Sequence, residues 1–140
     1  MGNERYTLLE INTIMVKAIS DAFPGKYWVT AEINEIRENA AGHCYLELIE
    51  KDPKGDTILA RSKATIWAYT WRMLKPYFET STGQPPGKGM MVLVEAGVEF
   101  HELYGLSLNI KDIDPVYTLG DLERKRALTI RKLEEKELST

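Results

Sequence analysis

At 140 residues, with 44% hydrophobic and 28% charged side chains, the chain has the size and composition of one ordinary globular domain, which argues against disorder, a collagen-like repeat or two full domains. Eighteen Lys and Arg against 21 Asp and Glu leave a formal net charge of -3, so the molecule as a whole lacks the field of a nucleic-acid or membrane-surface binder, and any basic site must be local. A single cysteine, Cys44, excludes an internal disulfide framework and fits the reducing cytoplasm, and no run approaches the roughly 18 apolar residues of a membrane span or the apolar core of a signal peptide.

The Met1–Gly2 start does not make a myristoylation signal, because Tyr6 stands where that signal needs Ser or Thr. Thr7 followed three residues later by Glu10 is a helix-start pattern, and Leu8, Ile11, Met15, Ile19 and Phe23 then recur at helical spacing until Pro24–Gly25. This predicts an amphipathic helix over 8–22 with its apolar stripe against a core. From Lys26 the period becomes two, with Tyr27, Val29, Ala31 and Ile33 on one parity of a half-buried first strand and Trp28, Thr30, Glu32 and Asn34 on the other. After a turn at 39–42, Cys44, Leu46 and Leu48 alternate with His43, Tyr45 and Glu47 in a second strand. The turn chemistry of Asp52–Asp56 leads to a third strand, in which Ile58, Ala60, Ser62, Ala64 and Ile66 oppose Leu59, Arg61, Lys63, Thr65 and Trp67.

Beyond Trp67, the spacing of Trp71, Leu74, Tyr77 and Phe78 predicts a short helix around Pro76, with those aromatics as core, followed by a loop over 80–89. Alternating residues from Met90 to Val98 and from Tyr104 to Ile110 predict two more strands, and Thr118 with Asp121 resembles a further helix start. The order of helix, three strands, helix, two strands, helix is that of a mainly β, five-stranded OB-fold barrel with flanking helices. A generic α+β domain has the same order, and pattern alone does not separate the two. Residues 1–118 are expected to form this domain, and 119–140, densely charged with a sparse apolar seam, to begin a helical linker toward something outside the sequence.

No catalytic or metal constellation is expected. His43 and Cys44 are adjacent on one strand and point to opposite faces, so they cannot pair as base and nucleophile. Cys44, His43 and His101 are too few and wrongly spaced for structural zinc, and the Gly83–Gly89 run lacks the length and the hydroxyl of a phosphate-binding loop. No cofactor is called for.

What remains is local charge together with aromatic rings. Between Thr57 and Phe78 stand the cations Arg61, Lys63, Arg72 and Lys75 and no acid, interleaved with Trp67, Tyr69, Trp71, Tyr77 and Phe78. Cations track phosphates while flat rings stack on unpaired bases, which is the chemistry of single-stranded nucleic-acid binding. In an OB-fold the second and third strands form the usual ligand face. The candidate nucleic-acid-binding residues are therefore Arg61, Lys63 and Arg72 for phosphates, Tyr45 and Trp67 for bases, His43 at the groove edge, and Arg37 from the first interstrand connection. A module that docks a protein partner without touching nucleic acid is the alternative, although such a face would tolerate acids where this run has none.

The chain resembles the N-terminal OB-fold domain of exodeoxyribonuclease VII large subunits from about Tyr6 to Leu133. The likeness rests on Thr7–Asn12, on Tyr27, Trp28, Val29 with Ala31, Glu32, Ile33, and on Gly42, His43, Cys44, Tyr45, the most specific part. Further on it rests on Gly89, Met90, Val92, Gly97, on Tyr104, Gly105, Leu108, and on Asp114, Pro115, Leu119, Gly120. Ala31 where Gly is common, Leu46 where Phe is common, and Pro53 in the second turn depart from the pattern. The resemblance implies capture of single-stranded DNA for a nuclease domain that follows in the parent chain. The parent enzyme, with several copies of a small helical subunit bound elsewhere than on this domain, degrades single-stranded DNA from either end to oligonucleotides with 5′-phosphates. The fragment itself is expected to bind and not to cut.

Overall fold

A computed structural model describes residues 4–138, so the Met1–Gly2 start lies outside the described residues. The elements are α1 (Leu8–Ala22), β1 (Lys26–Glu38), β2 (Cys44–Lys51), β3 (Ile58–Ile66), α2 (Ala68–Thr82), β4 (Met91–His101), β5 (Gly105–Ile113) and α3 (Pro115–Leu138). The strands close into a barrel in the order β1-β2-β3-β5-β4, antiparallel except where β3 meets β5. This is the five-stranded OB-fold that the order of elements predicts.

The barrel interior is filled by alternate strand residues: Ala31 and Ile33 from β1, Cys44, Leu46 and Leu48 from β2 and Ala64 and Ile66 from β3, the last two strands on their predicted inward parities, joined by Val92, Val94, Ala96 and Ile110. Trp71, Leu74 and Phe78 of α2 pack against this interior. Each buried large side chain of this kind contributes about 1.5–3 kcal/mol, so α2 is integral to the core.

Several expectations need correction. α1 has the predicted bounds, but none of its residues is buried: only Asn12, Met15, Val16 and Ile19 are half-covered, while Leu8 is 77% exposed and Leu9, Ile11 and Ile14 also face outward. The apolar stripe therefore does not enter the core. α2 continues through Pro76 to Thr82, because the buried Trp71, Leu74 and Phe78 hold it to the barrel on both sides of the proline. Gly83, at φ 84°, ends it by taking the left-handed conformation that glycine tolerates. Tyr77 is 50% exposed and is not core, because it points off the buried side of α2. The last helix starts at Pro115 and not at Thr118. Asp114 accepts from the Val116 amide as its cap, and Thr118 is buried within the first turns, donating to the Met91 carbonyl at 2.8 Å. α3 runs unbroken across position 118 and is exposed beyond Leu122.

Candidate nucleic-acid interface

β1 changes face part-way along. Its pairing with β2 shifts register between Ile33 and Glu35, leaving Asn34 as a bulge, so that Ile36 turns toward the interior and Glu35 and Arg37 turn outward. Arg37 consequently lies within β1 and not in the connection after it. It stands directly across from Tyr45 of β2, and its guanidinium carbon lies 4.9 Å from the centre of that ring. A guanidinium at this distance over a phenol makes a favourable cation–π contact.

His43 joins Tyr45 to Trp67. Gly42, at φ 88°, closes the β1–β2 turn in a conformation that strains any side chain, and delivers His43 to the start of β2. The Nδ1 of His43 accepts the Ala68 amide at 2.9 Å. Trp67, at the cap position of α2, offers no side-chain cap of its own, so His43 satisfies one of the orphan amides at that helix start. Because the amide must donate, Nδ1 is the acceptor and the neutral ring carries its proton on Nε2. The imidazole meets the Trp67 ring edge-on at 4.9 Å and the Tyr45 ring at 6.4 Å. Trp67 remains 43% exposed, so the indole is held in place while a face stays open.

Arg37, Tyr45, Lys63 and Trp67 line one open groove of about 1510 Å³. Its far wall is the β4–β5 hairpin with His101, Leu103 and Tyr104, and the end of α1 with Val16 and Phe23 borders it. The other proposed phosphate contacts are placed differently. Arg61 pairs with Glu47 at 3.4 Å, and Arg72 lies beside Trp71 and Lys75 at a separate shallow depression of about 360 Å³. The acid-free run from Thr57 to Phe78 is therefore not acid-free in space: β2 supplies Glu47 to Arg61, and β1 supplies Glu38 to Lys75 at 2.9 Å. Hydrogen bonds from Lys75 and from the Trp71 indole hold the Glu38 carboxyl below its ordinary range, and the same carboxylate raises the Lys75 ammonium.

Three groove residues escaped the sequence reading. Lys88, in the loop after α2, adds a cation. His101 and Tyr104 stack with centroids 4.7 Å apart and planes inclined by 28°, with the His101 Nδ1 accepting the Leu103 amide. Aromatics flanking a hairpin turn of an OB-fold were a usable signal, because that connection is a ligand-binding loop of the fold. Cys44 is inside the barrel, and burial pushes its thiol up to about 12, so it takes no part in the groove.

Residues 6–114 match the family of OB-fold nucleic acid binding domains. The chain belongs to that family. The chain is also 37% identical, over 128 residues and 86% of its length, to the exodeoxyribonuclease 7 large subunit of Deinococcus radiodurans, of whose length it spans 30%. Among solved structures, it is similar to Rim1, the mitochondrial single-stranded DNA binding protein of S. cerevisiae. One crystal form gives 21% identity and a TM-score of 0.45 over 66% of this chain and 92% of that one, and another gives 24% and 0.40 over 66% and 93%. No helix among the described residues is long and apolar enough to cross a membrane. No group of three or more His, Cys, Asp or Glu among them is placed to hold a metal ion.

Proposed function

We infer that this OB-fold domain binds single-stranded DNA in the groove and belongs to the large subunit of a cytoplasmic exodeoxyribonuclease VII, whose nuclease activity resides in the rest of the parent chain. The observation that carries the reading is the convergence of Arg37, Tyr45, Trp67 and Lys63 on one open groove, with His43 against the two aromatic rings. Tyr45 and Trp67 stack bases, and Arg37, Lys63 and Lys88 neutralise phosphates. Arg61, paired with Glu47, and Arg72, outside the groove, make smaller contributions. α3 leads toward the catalytic part, and the small subunit engages regions beyond this domain. The domain alone binds without cutting, which a gel assay with single-stranded substrate checks directly.

A titration of tryptophan fluorescence with a short oligonucleotide at several salt concentrations tests the reading. Neutralising four phosphates, as the sequence suggests, would give a slope of log affinity on log salt of about -3, and the three groove cations that have no ion pair among the described residues give about -2. Absence of quenching, or a response flat in salt, overturns the reading. One observation favours a protein-docking role as well: the apolar side chains of Leu8, Leu9 and Ile14 on α1 are left uncovered. Docking there would leave the titration unchanged.

A further inference from the structure

Two hydrogen-bonded pairs of amide and carboxylate flank the groove. The bulged Asn34 of β1 donates its Nδ2 to Glu47 of β2 at 2.6 Å, and Asn109 of β5 donates its Nδ2 to Glu99 of β4 at 2.9 Å. A carboxylate only accepts, so each amide must turn its nitrogen to the acid, and each pair fixes the direction of a carboxylate that lines the groove. Glu35 lines it too. The groove is thus rich in acceptors although its ligand is inferred to be a polyanion.

Both facts hold only if the polymer lies one way round. Phosphates are repelled by Glu35, Glu47 and Glu99 and drawn to Arg37, Lys63 and Lys88, so the backbone follows the cations and the base edges meet the carboxylates. The ring groups on the two walls, His43 with Tyr45 and Trp67, and His101 with Tyr104, hold base planes in that orientation. Cytosine, adenine and guanine each present an exocyclic amino group to such an acceptor. Thymine presents a single ring N–H between two carbonyl oxygens, which face a carboxylate unfavourably.

We propose that the groove selects single-stranded DNA by the donor character of its bases, taking amino-bearing bases and, among pyrimidines, cytosine over thymine, with Glu47 and Glu99 as the selecting acceptors. The inference rests on the single-stranded DNA reading of the same groove. The two pyrimidines are the informative comparison, because they are close in size and neither self-stacks as purines do.

The test is a fluorescence titration of the 140-residue chain with oligo(dC) and oligo(dT) of equal length, at one neutral pH and one ionic strength. The expected result is about tenfold tighter binding of oligo(dC). Glu47→Gln and Glu99→Gln should each narrow that ratio while leaving the salt slopes of the two oligonucleotides parallel, because an amide can also donate to the thymine carbonyl. Glu47 also engages Arg61, so its loss changes both affinities, and the ratio removes that common effect. Equal or tighter binding of oligo(dT) by the unaltered chain, or a ratio unmoved in both variants, overturns the proposal while the DNA-binding reading stands. If neither oligonucleotide binds, that reading fails and the proposal fails with it.

Discussion

Trp67 and His43 act as a unit. The imidazole caps the first amide of α2 and meets the indole edge-on, so the ring proposed to stack on a base is oriented before any ligand arrives. Trp67→Ala is expected to weaken oligonucleotide binding by roughly 1–3 kcal/mol with little loss of fold, since the indole is already 43% exposed. Titration alongside a urea melt separates the two effects. His43→Ala leaves the Ala68 amide without its cap and should lower stability by about 1 kcal/mol, read as a shift in the urea midpoint. Its effect on binding then comes through a looser Trp67. Cys44 offers a third check at this scale. With its thiol inside the barrel and pushed up to about 12, it should react with a thiol reagent at neutral pH only as fast as the barrel opens.

At the scale of elements, Glu38 ties the end of β1 to α2 through the Trp71 indole and Lys75. The folded carboxyl titrates below its ordinary 4.5, so its stabilising effect is complete above that value and is lost as pH falls through the lower folded value. Lys75 titrates above its ordinary 10.5, so its effect is complete below that value and is lost as pH rises through the higher folded one. Glu38→Gln should therefore be less stable than the unaltered chain on the plateau between these values, and the two urea midpoints should converge in strong acid. Much of this architecture is legible in the sequence. The bounds of α1, the inward parities of β2 and β3, and the turn at Asp52–Asp56 follow from period and turn chemistry alone. Other features depend on partners distant in the chain, which no local pattern records. The bulge at Asn34 turns Arg37 outward, the barrel carries α2 past Pro76, and α1 finds only a partial surface to cover.

Across the whole molecule, register decides how charge is shared. A run with four cations and no acid looks strongly basic on paper, yet Arg61 and Lys75 find acids on neighbouring strands once the barrel closes. The positive character that remains at the groove is Arg37, Lys63 and Lys88, two of which lie outside that run. This is why parity alone places Tyr45, Trp67 and Lys63 on one face, whereas Lys88 reaches the same opening only once the barrel closes, and His101 and Tyr104 carry no signal beyond their place at an OB-fold hairpin turn. Chemical-shift mapping of the chain with a short single-stranded oligonucleotide tests the central claim most directly. The groove predicts perturbations at Arg37, His43, Tyr45, Lys63, Trp67, Lys88 and Tyr104, with α3 beyond Leu122 silent. Perturbations confined to the outer side of α1 or to α3, with the groove unmoved, would contradict it.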